Sequence, residues 1–105
     1  MAAVEKPFAD HDIDWTKGAA WCDGDFVPAK EAKLSVFDWG FTRSDVTYDV
    51  VHVWKGSFFR LDDHLDRFLN SVEGLRMELP VDRDGLAGIL NGCVARSGLQ
   101  DSYVA

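Results

Sequence analysis

Guanidinium groups such as those of Arg43 and Arg67, and a phenol such as that of Tyr48, are of types that could do chemistry. A guanidinium stays charged and offers forked donors that match carboxylate and phosphate oxygens. A phenol in a pocket orients a bound molecule through its ring and its hydroxyl. Spacing alone leaves plainer readings open. Asp63 lies four residues before Arg67, so an ion pair along a helix surface is available. Arg43 stands in a polar loop, where a solvated arginine is ordinary. Tyr48 fits a strand tyrosine that bonds to backbone or water.

Other chemistries find no footing. His11, His52 and His64 are scattered, and none pairs with Cys or Glu at a metal-ligand spacing. Cys22 and Cys93 are far apart and read as two free thiols. No serine sits in a nucleophile elbow, and no glycine-rich loop matches a nucleotide-binding pattern. The net charge of -7 repels phosphate backbones, so nucleic acid is an unsuitable partner, although one local basic pocket remains possible. No apolar run approaches the roughly 18 residues that span a bilayer. The start, Met1 to Pro7, lacks the basic-then-apolar pattern of a signal peptide. The expectation is a soluble cytoplasmic protein.

The elements that must position these groups follow from periodicity. With 105 residues, 47% of them hydrophobic, the chain suits one modest domain. Residues 1–17 read as an arm and 18–105 as the domain. Apolar runs flank Asp23-Gly24, which predicts a hairpin whose second strand ends at Pro28. Lys33 to Phe37 reads as a short strand and Asp38 to Asp45 as a loop. Val46 to Trp54 is rich in β-branched and aromatic residues. Its two faces (Val46, Tyr48, Val50, His52, Trp54 against Thr47, Asp49, Val51, Val53) are both largely apolar, which predicts a central strand covered on both sides. Lys55-Gly56 offers a turn, and Ser57 to Arg60 a returning strand.

From Leu61 the period changes. Leu61, Leu65, Phe68, Val72, Leu75 and Leu79 form a helical stripe, with Asp62 and Asp63 in the first turn and Pro80 as a stop. A second helix spans about Asp82 to Ser97, with Leu86, Ile89, Leu90, Cys93 and Val94 inward and Gly98 as its end. Gly85, Gly88 and Gly92 weaken it but allow close packing. Ser102 to Ala105 opens a further strand. The prediction is an α+β fold, an antiparallel sheet with two helices on one face. A chain that stops as a strand begins reads as a truncation.

The run Asp38-Trp-Gly-Phe-Thr-Arg-Ser-Asp-Val-Thr-Tyr-Asp-Val50, the strand to Trp54, the turn at Gly56 and Phe59-Arg-Leu-Asp-Asp-His-Leu-Asp-Arg-Phe68 together resemble the class IV, fold-type-IV aminotransferases. The nearest branch is that of (R)-selective amine transaminases and D-amino-acid transaminases. The resemblance covers roughly Gly18 to Ala105 and only the family's small N-terminal domain.

That resemblance implies pyridoxal 5'-phosphate as cofactor and amino transfer between an amine or D-amino acid and a keto acid. It implies that Arg67, in the His-x-x-Arg step, binds the cofactor phosphate, and that Tyr48 and Val50 line the substrate pocket. Arg43 departs from the histidine or tyrosine usual at its position, which points to a substrate carboxylate. Arg60, His52 and His64 are expected to be structural. The family's Schiff-base lysine belongs to a second domain, and Lys6, Lys17, Lys30, Lys33 and Lys55 do not match it. No catalytic residue is therefore expected here, and the chain alone is expected to be inactive. The family works as a homodimer. Branched-chain aminotransferase or aminodeoxychorismate lyase activity on the same fold, or a non-catalytic interaction module, are the alternatives.

Overall fold

Asp23 and Gly24 take left-handed backbone angles, with φ of 54° and 84°. Positive φ at both central residues makes the tight hairpin turn that matches strand twist. It joins β1 (Ala19–Cys22) to β2 (Asp25–Pro28), paired from Ala19↔Pro28 to Cys22↔Asp25. The computed structural model describes residues 13–105, so most of the expected arm lies outside the described residues. After the hairpin comes a short helix, α1 (Trp39–Arg43). A second sheet has the order β4-β3-β5 and is wholly antiparallel. Its strands are β3 (Val51–Trp54), β4 (Ser57–Phe58) and β5 (Asp101–Val104). Lys55 and Gly56 supply the β3–β4 turn, again with two positive φ values. Between β4 and β5 run α2 (Leu61–Gly74) and α3 (Arg83–Ser97).

The core lies where β3 meets the helices. Val51 and Val53 are buried on one face of β3, Leu65 and Val72 on α2, and Cys93 on α3. Arg83 fastens the helices together, bonding to the carboxylates of Asp66 and Asp62 and to the backbone carbonyl of Asp62. The hairpin packs on α3 through Phe26, whose ring lies where a side chain on Gly92 would otherwise stand. The guanidinium of Arg96 covers the same ring, 3.8 Å from its centroid.

The α+β architecture and antiparallel pairing agree with the expectation, but four elements differ. Lys33 to Phe37 forms no strand; its apolar side chains Leu34, Val36 and Phe37 are exposed and no strand pairs with it. The loop expected at Asp38 to Asp45 contains α1. Asp38 caps it by accepting the Gly40 N–H at 2.7 Å, a capping role rather than a loop turn. The strand expected from Val46 begins only at Val51. Ahead of it the Val50 N–H donates to the Asp49 side chain at 2.8 Å, so a carboxylate takes the place of a neighbouring strand. The odd face is the better covered, with Val51 and Val53 buried; on the other face Val46, Tyr48 and Trp54 are exposed, and Val50 and His52 are half-buried.

The fourth difference is the end of α2. The apolar stripe continues to Leu79, but the helix stops at Gly74, well before Pro80. Arg76 turns left-handed with φ of 57°. The Met77 N–H donates to the Val72 carbonyl and the Arg76 N–H to that of Glu73. This is a Schellman closure, with the hydrophobic pair Val72 and Met77 at its ends. It ordinarily uses glycine, so the sequence pattern hides it. By contrast α3 ends on Gly98, left-handed at φ 67°, as its sequence predicts.

Two substitutions separate helix propensity from packing. A side chain at Gly88 would meet nothing within 4 Å, whereas one at Gly92 would come within 2.5 Å of the Phe26 ring. Gly88→Ala is expected to stabilise the fold by about 1 kcal/mol. Gly92→Ala gains the same propensity but overpacks the hairpin contact, at a cost of about 1–3 kcal/mol. Urea unfolding should therefore place the Gly92 variant at least about 1 kcal/mol below the Gly88 variant.

Candidate functional site

Asp49 stands two residues before Val51, at the edge of the core, and its side chain is only 11% exposed. A carboxylate there must be paired, because burial penalises an isolated charge. The partner comes from α2. Arg67 Nε donates to Oδ2 at 2.7 Å and Nη2 to Oδ1 at 2.8 Å, a two-pronged pair. His64, one turn earlier on the same helix, brings Nδ1 within 2.9 Å of Oδ1. The same nitrogen lies 3.2 Å from Arg67 Nη2. When Nδ1 carries the proton it donates to Asp49. When it does not, it accepts from Arg67. Arg67 and, after it, His64 hold the Asp49 carboxyl well below the usual carboxylate range. The same pair raises the pKa of Arg67.

Spacing offered Asp63 as the partner of Arg67, and that reading is corrected. Asp63 instead accepts from Arg60 Nε at 2.8 Å, which makes Arg60 the structural ion-pair partner it was expected to be. The side chain of Arg67 is 67% exposed, and Nη1 makes no hydrogen bond among the described residues. With Phe59, Arg60, Asp63 and His64 it lines an open depression of about 210 Å³. A charged guanidinium, fixed on one edge and open on the other, can bind an oxyanion.

The other candidate residues lie apart from this depression. Val50 lines a small apolar cavity of about 120 Å³ with Leu61, Leu65 and Phe68, on the side of the core. Tyr48 is 74% exposed and lines neither space. Arg43 lies over the Trp39 ring, 4.5 Å from its centroid, and makes no ion pair among the described residues. Stacking uses the guanidinium face and leaves its N–H edges free. His52 bonds to Asp101 at 2.8 Å and stacks on Tyr103 at 4.9 Å across β3 and β5. Among the described residues no His, Cys, Asp and Glu cluster could hold a metal, and no helix is long and apolar enough to cross a membrane.

Residues 47–105, the segment that contains Asp49, His64 and Arg67, match the family model described as "Amino-transferase class IV". The chain belongs to the class IV aminotransferases. A putative branched-chain-amino-acid aminotransferase from Methanocaldococcus jannaschii is 29% identical over 80% of this chain and 29% of its own length. A D-alanine aminotransferase from Listeria innocua is 28% identical over 74% of this chain and 27% of its own length. Among solved structures, a T.th. branched-chain amino acid aminotransferase with pyridoxamine 5'-phosphate superposes with a TM-score of 0.75. It is 32% identical, over 83% of this chain and 30% of its own. The chain thus spans about three-tenths of the length of these class IV aminotransferases. Members of the family use pyridoxal 5'-phosphate, and the donor set around Arg67 suits the phosphate of such a cofactor.

Asp49 was not among the residues singled out from the sequence. The available signal was an acid on an otherwise apolar strand face, which demands a cation. Its depressed pKa sets the pH dependence. Above the ordinary value of about 3.9 the carboxyl is ionised folded and unfolded, and the pairing stabilises fully. As pH falls, the unfolded chain takes up the proton first and that stabilisation is lost. Asp49→Asn is expected to lower the melting temperature near neutral pH, with the gap to wild type closing from about pH 4 downward. A gap equally wide in acid would show that the charge is not what holds the pair.

Proposed function

We propose that the protein carrying this chain transfers amino groups, using pyridoxal 5'-phosphate, between an amine or D-amino acid and a keto acid. Residues 18–105 act as the small first domain, with Arg67 on the cofactor phosphate and Tyr48, Val50 and Arg43 toward the substrate. The observation that carries this reading is Arg67: its guanidinium is fixed by Asp49 on one edge, its side chain is 67% exposed, and it lines an open depression. When bound, the cofactor supplies a carbonyl that condenses with amines and a conjugated ring that accepts electrons. The residues of this chain bind and orient. Arg67 anchors the phosphate, and the Tyr48 ring and hydroxyl offer a wall that can turn the substrate.

Arg43 offers a carboxylate site, because its donors have no anionic partner among the described residues. The four described lysines, Lys17, Lys30, Lys33 and Lys55, are exposed, which supports a Schiff-base lysine elsewhere in the protein. The proposal includes a cytoplasmic homodimer. Its support is the exposed apolar run Leu34, Val36, Phe37, Trp39 and Phe41, of the kind interfaces cover, and two free thiols.

A second reading is favoured by the relatives named above. The Methanocaldococcus jannaschii protein and the solved T.th. structure carry branched-chain names, so an L-branched-chain amino acid is the competing substrate. Steady-state assays of the full-length protein on D-alanine, a chiral primary amine and L-leucine decide between them. The first reading expects D-alanine and the amine to be turned over faster; a preference for L-leucine establishes the second. Within the first, Arg43→Ala is expected to lower kcat/KM for D-alanine about tenfold more than for the amine, since only the acid has a carboxylate to lose. Equal losses would remove Arg43 from the substrate site. The 105 residues alone, with added cofactor, are expected to give no amino transfer above the rate of free cofactor.

A further inference from the structure

We propose that Asp49 is the positioning residue of the phosphate anchor: it presets the Arg67 guanidinium so that the edge carrying Nη1 is offered to the cofactor phosphate, with His64 steadying the same carboxylate. The inference rests on the phosphate role of Arg67 proposed above. An arginine side chain has many rotamers, and holding one before the ligand arrives removes part of the entropy that binding would otherwise lose. The geometry fits that task. Two of the five guanidinium N–H donors are spent on Asp49, from Nε and Nη2, which leaves the second on Nη2, 3.2 Å from His64 Nδ1, and both on Nη1. The carboxylate is itself locked: Oδ1 accepts the Val50 N–H and lies 2.9 Å from His64 Nδ1, and only 11% of the side chain is exposed. The restraint thus runs from the backbone before β3 to α2.

Charge alone predicts the opposite effect. Asp49 is negative, and removing it should strengthen attraction between Arg67 and a phosphate. The sign of the change therefore separates positioning from simple Coulomb interaction.

The experiment titrates apo full-length protein with pyridoxal 5'-phosphate and with pyridoxal, which lacks the phosphate, following binding by fluorescence. Asp49→Ala and the near-isosteric Asp49→Asn are each expected to weaken pyridoxal 5'-phosphate binding about tenfold, the scale of one freed long side chain. Pyridoxal affinity should stay within about twofold, and neither Asp49 variant should add to the loss once Arg67→Ala is present. Unchanged or tighter pyridoxal 5'-phosphate binding by the Asp49 variants overturns the inference, as does an equal loss for pyridoxal, which marks general damage to the fold. A loss that persists in the Arg67→Ala background also overturns it. If Arg67→Ala itself leaves pyridoxal 5'-phosphate affinity unchanged, the phosphate role of Arg67 falls, and this inference with it. If Arg67→Ala weakens binding and Asp49→Asn does not, only the inference falls.

Discussion

The Asp49 carboxylate is the constraint around which this part of the molecule is arranged. It lies beside Val51 and Val53, the most buried positions of β3, where an unpaired charge would be severely penalised. Arg67 resolves the problem at low expense, because the two partners are buried unequally. Asp49 is 11% exposed and Arg67 is 67% exposed, so the guanidinium keeps most of its water while the carboxylate gives up its own. A pair in which both ions are desolvated often contributes little or nothing net. Here only one side carries that penalty, and two directional bonds plus the His64 contact offset it. The same asymmetry leaves Arg67 facing outward.

The scaffold around the pair relies on backbone geometry more than on a large core. Five apolar side chains are buried among the described residues, one of them a cysteine whose thiol pKa is pushed up by burial. Around them, tight closures fix the element ends: positive-φ turns at Asp23-Gly24 and Lys55-Gly56, the Asp38 and Asp82 caps, and the Schellman end at Arg76. Arg83 then ties α3 to the first turns of α2, the helix that carries His64 and Arg67. The rotation of α2 about its axis is thereby set from both faces, by the buried side chains of Leu65 and Val72 and by Arg83 across the helix pair. That rotation decides where Arg67 points.

Most of this was legible wherever one local rule governed. The Asp-Gly hairpin, the 3.6-residue stripe and the glycine-ended α3 each follow from short-range physics. The failures share a cause: a side chain or a backbone closure competed with the regular element. Asp49 takes the Val50 N–H and delays β3; Asp38 turns a loop into a helix; Arg76 does at the end of α2 what glycine usually does. The partner of Arg67 was missed for a related reason. Helical spacing sees Asp63, four residues away, but Arg60 lies three residues from Asp63 and claims it, while a carboxylate 18 residues upstream in the chain reaches Arg67 through the fold. Sequence spacing captures pairs within an element and is blind to pairs between elements.

The two arginines singled out from the sequence end in different chemical states, and the difference bears on what each can recognise. Arg67 is held edge-on by a carboxylate: it has spent donors and gained a fixed direction. Arg43 lies over the Trp39 ring, an interaction that makes no demand on its N–H donors, has no ion-pair partner among the described residues, and lets the group slide or swivel over the ring. A cofactor phosphate presents the same geometry in every cycle and rewards a fixed anchor, since prior ordering lowers the entropy lost on binding. Substrates vary in length and in whether they carry a carboxylate at all, and they reward an adaptable donor. In the proposed reading the constant ligand falls to the arginine with a carboxylate behind it, and the variable one to the arginine with a ring beneath it. That division follows from the partners alone. Exchanging them would leave a phosphate anchor free to wander and a substrate contact unable to adjust.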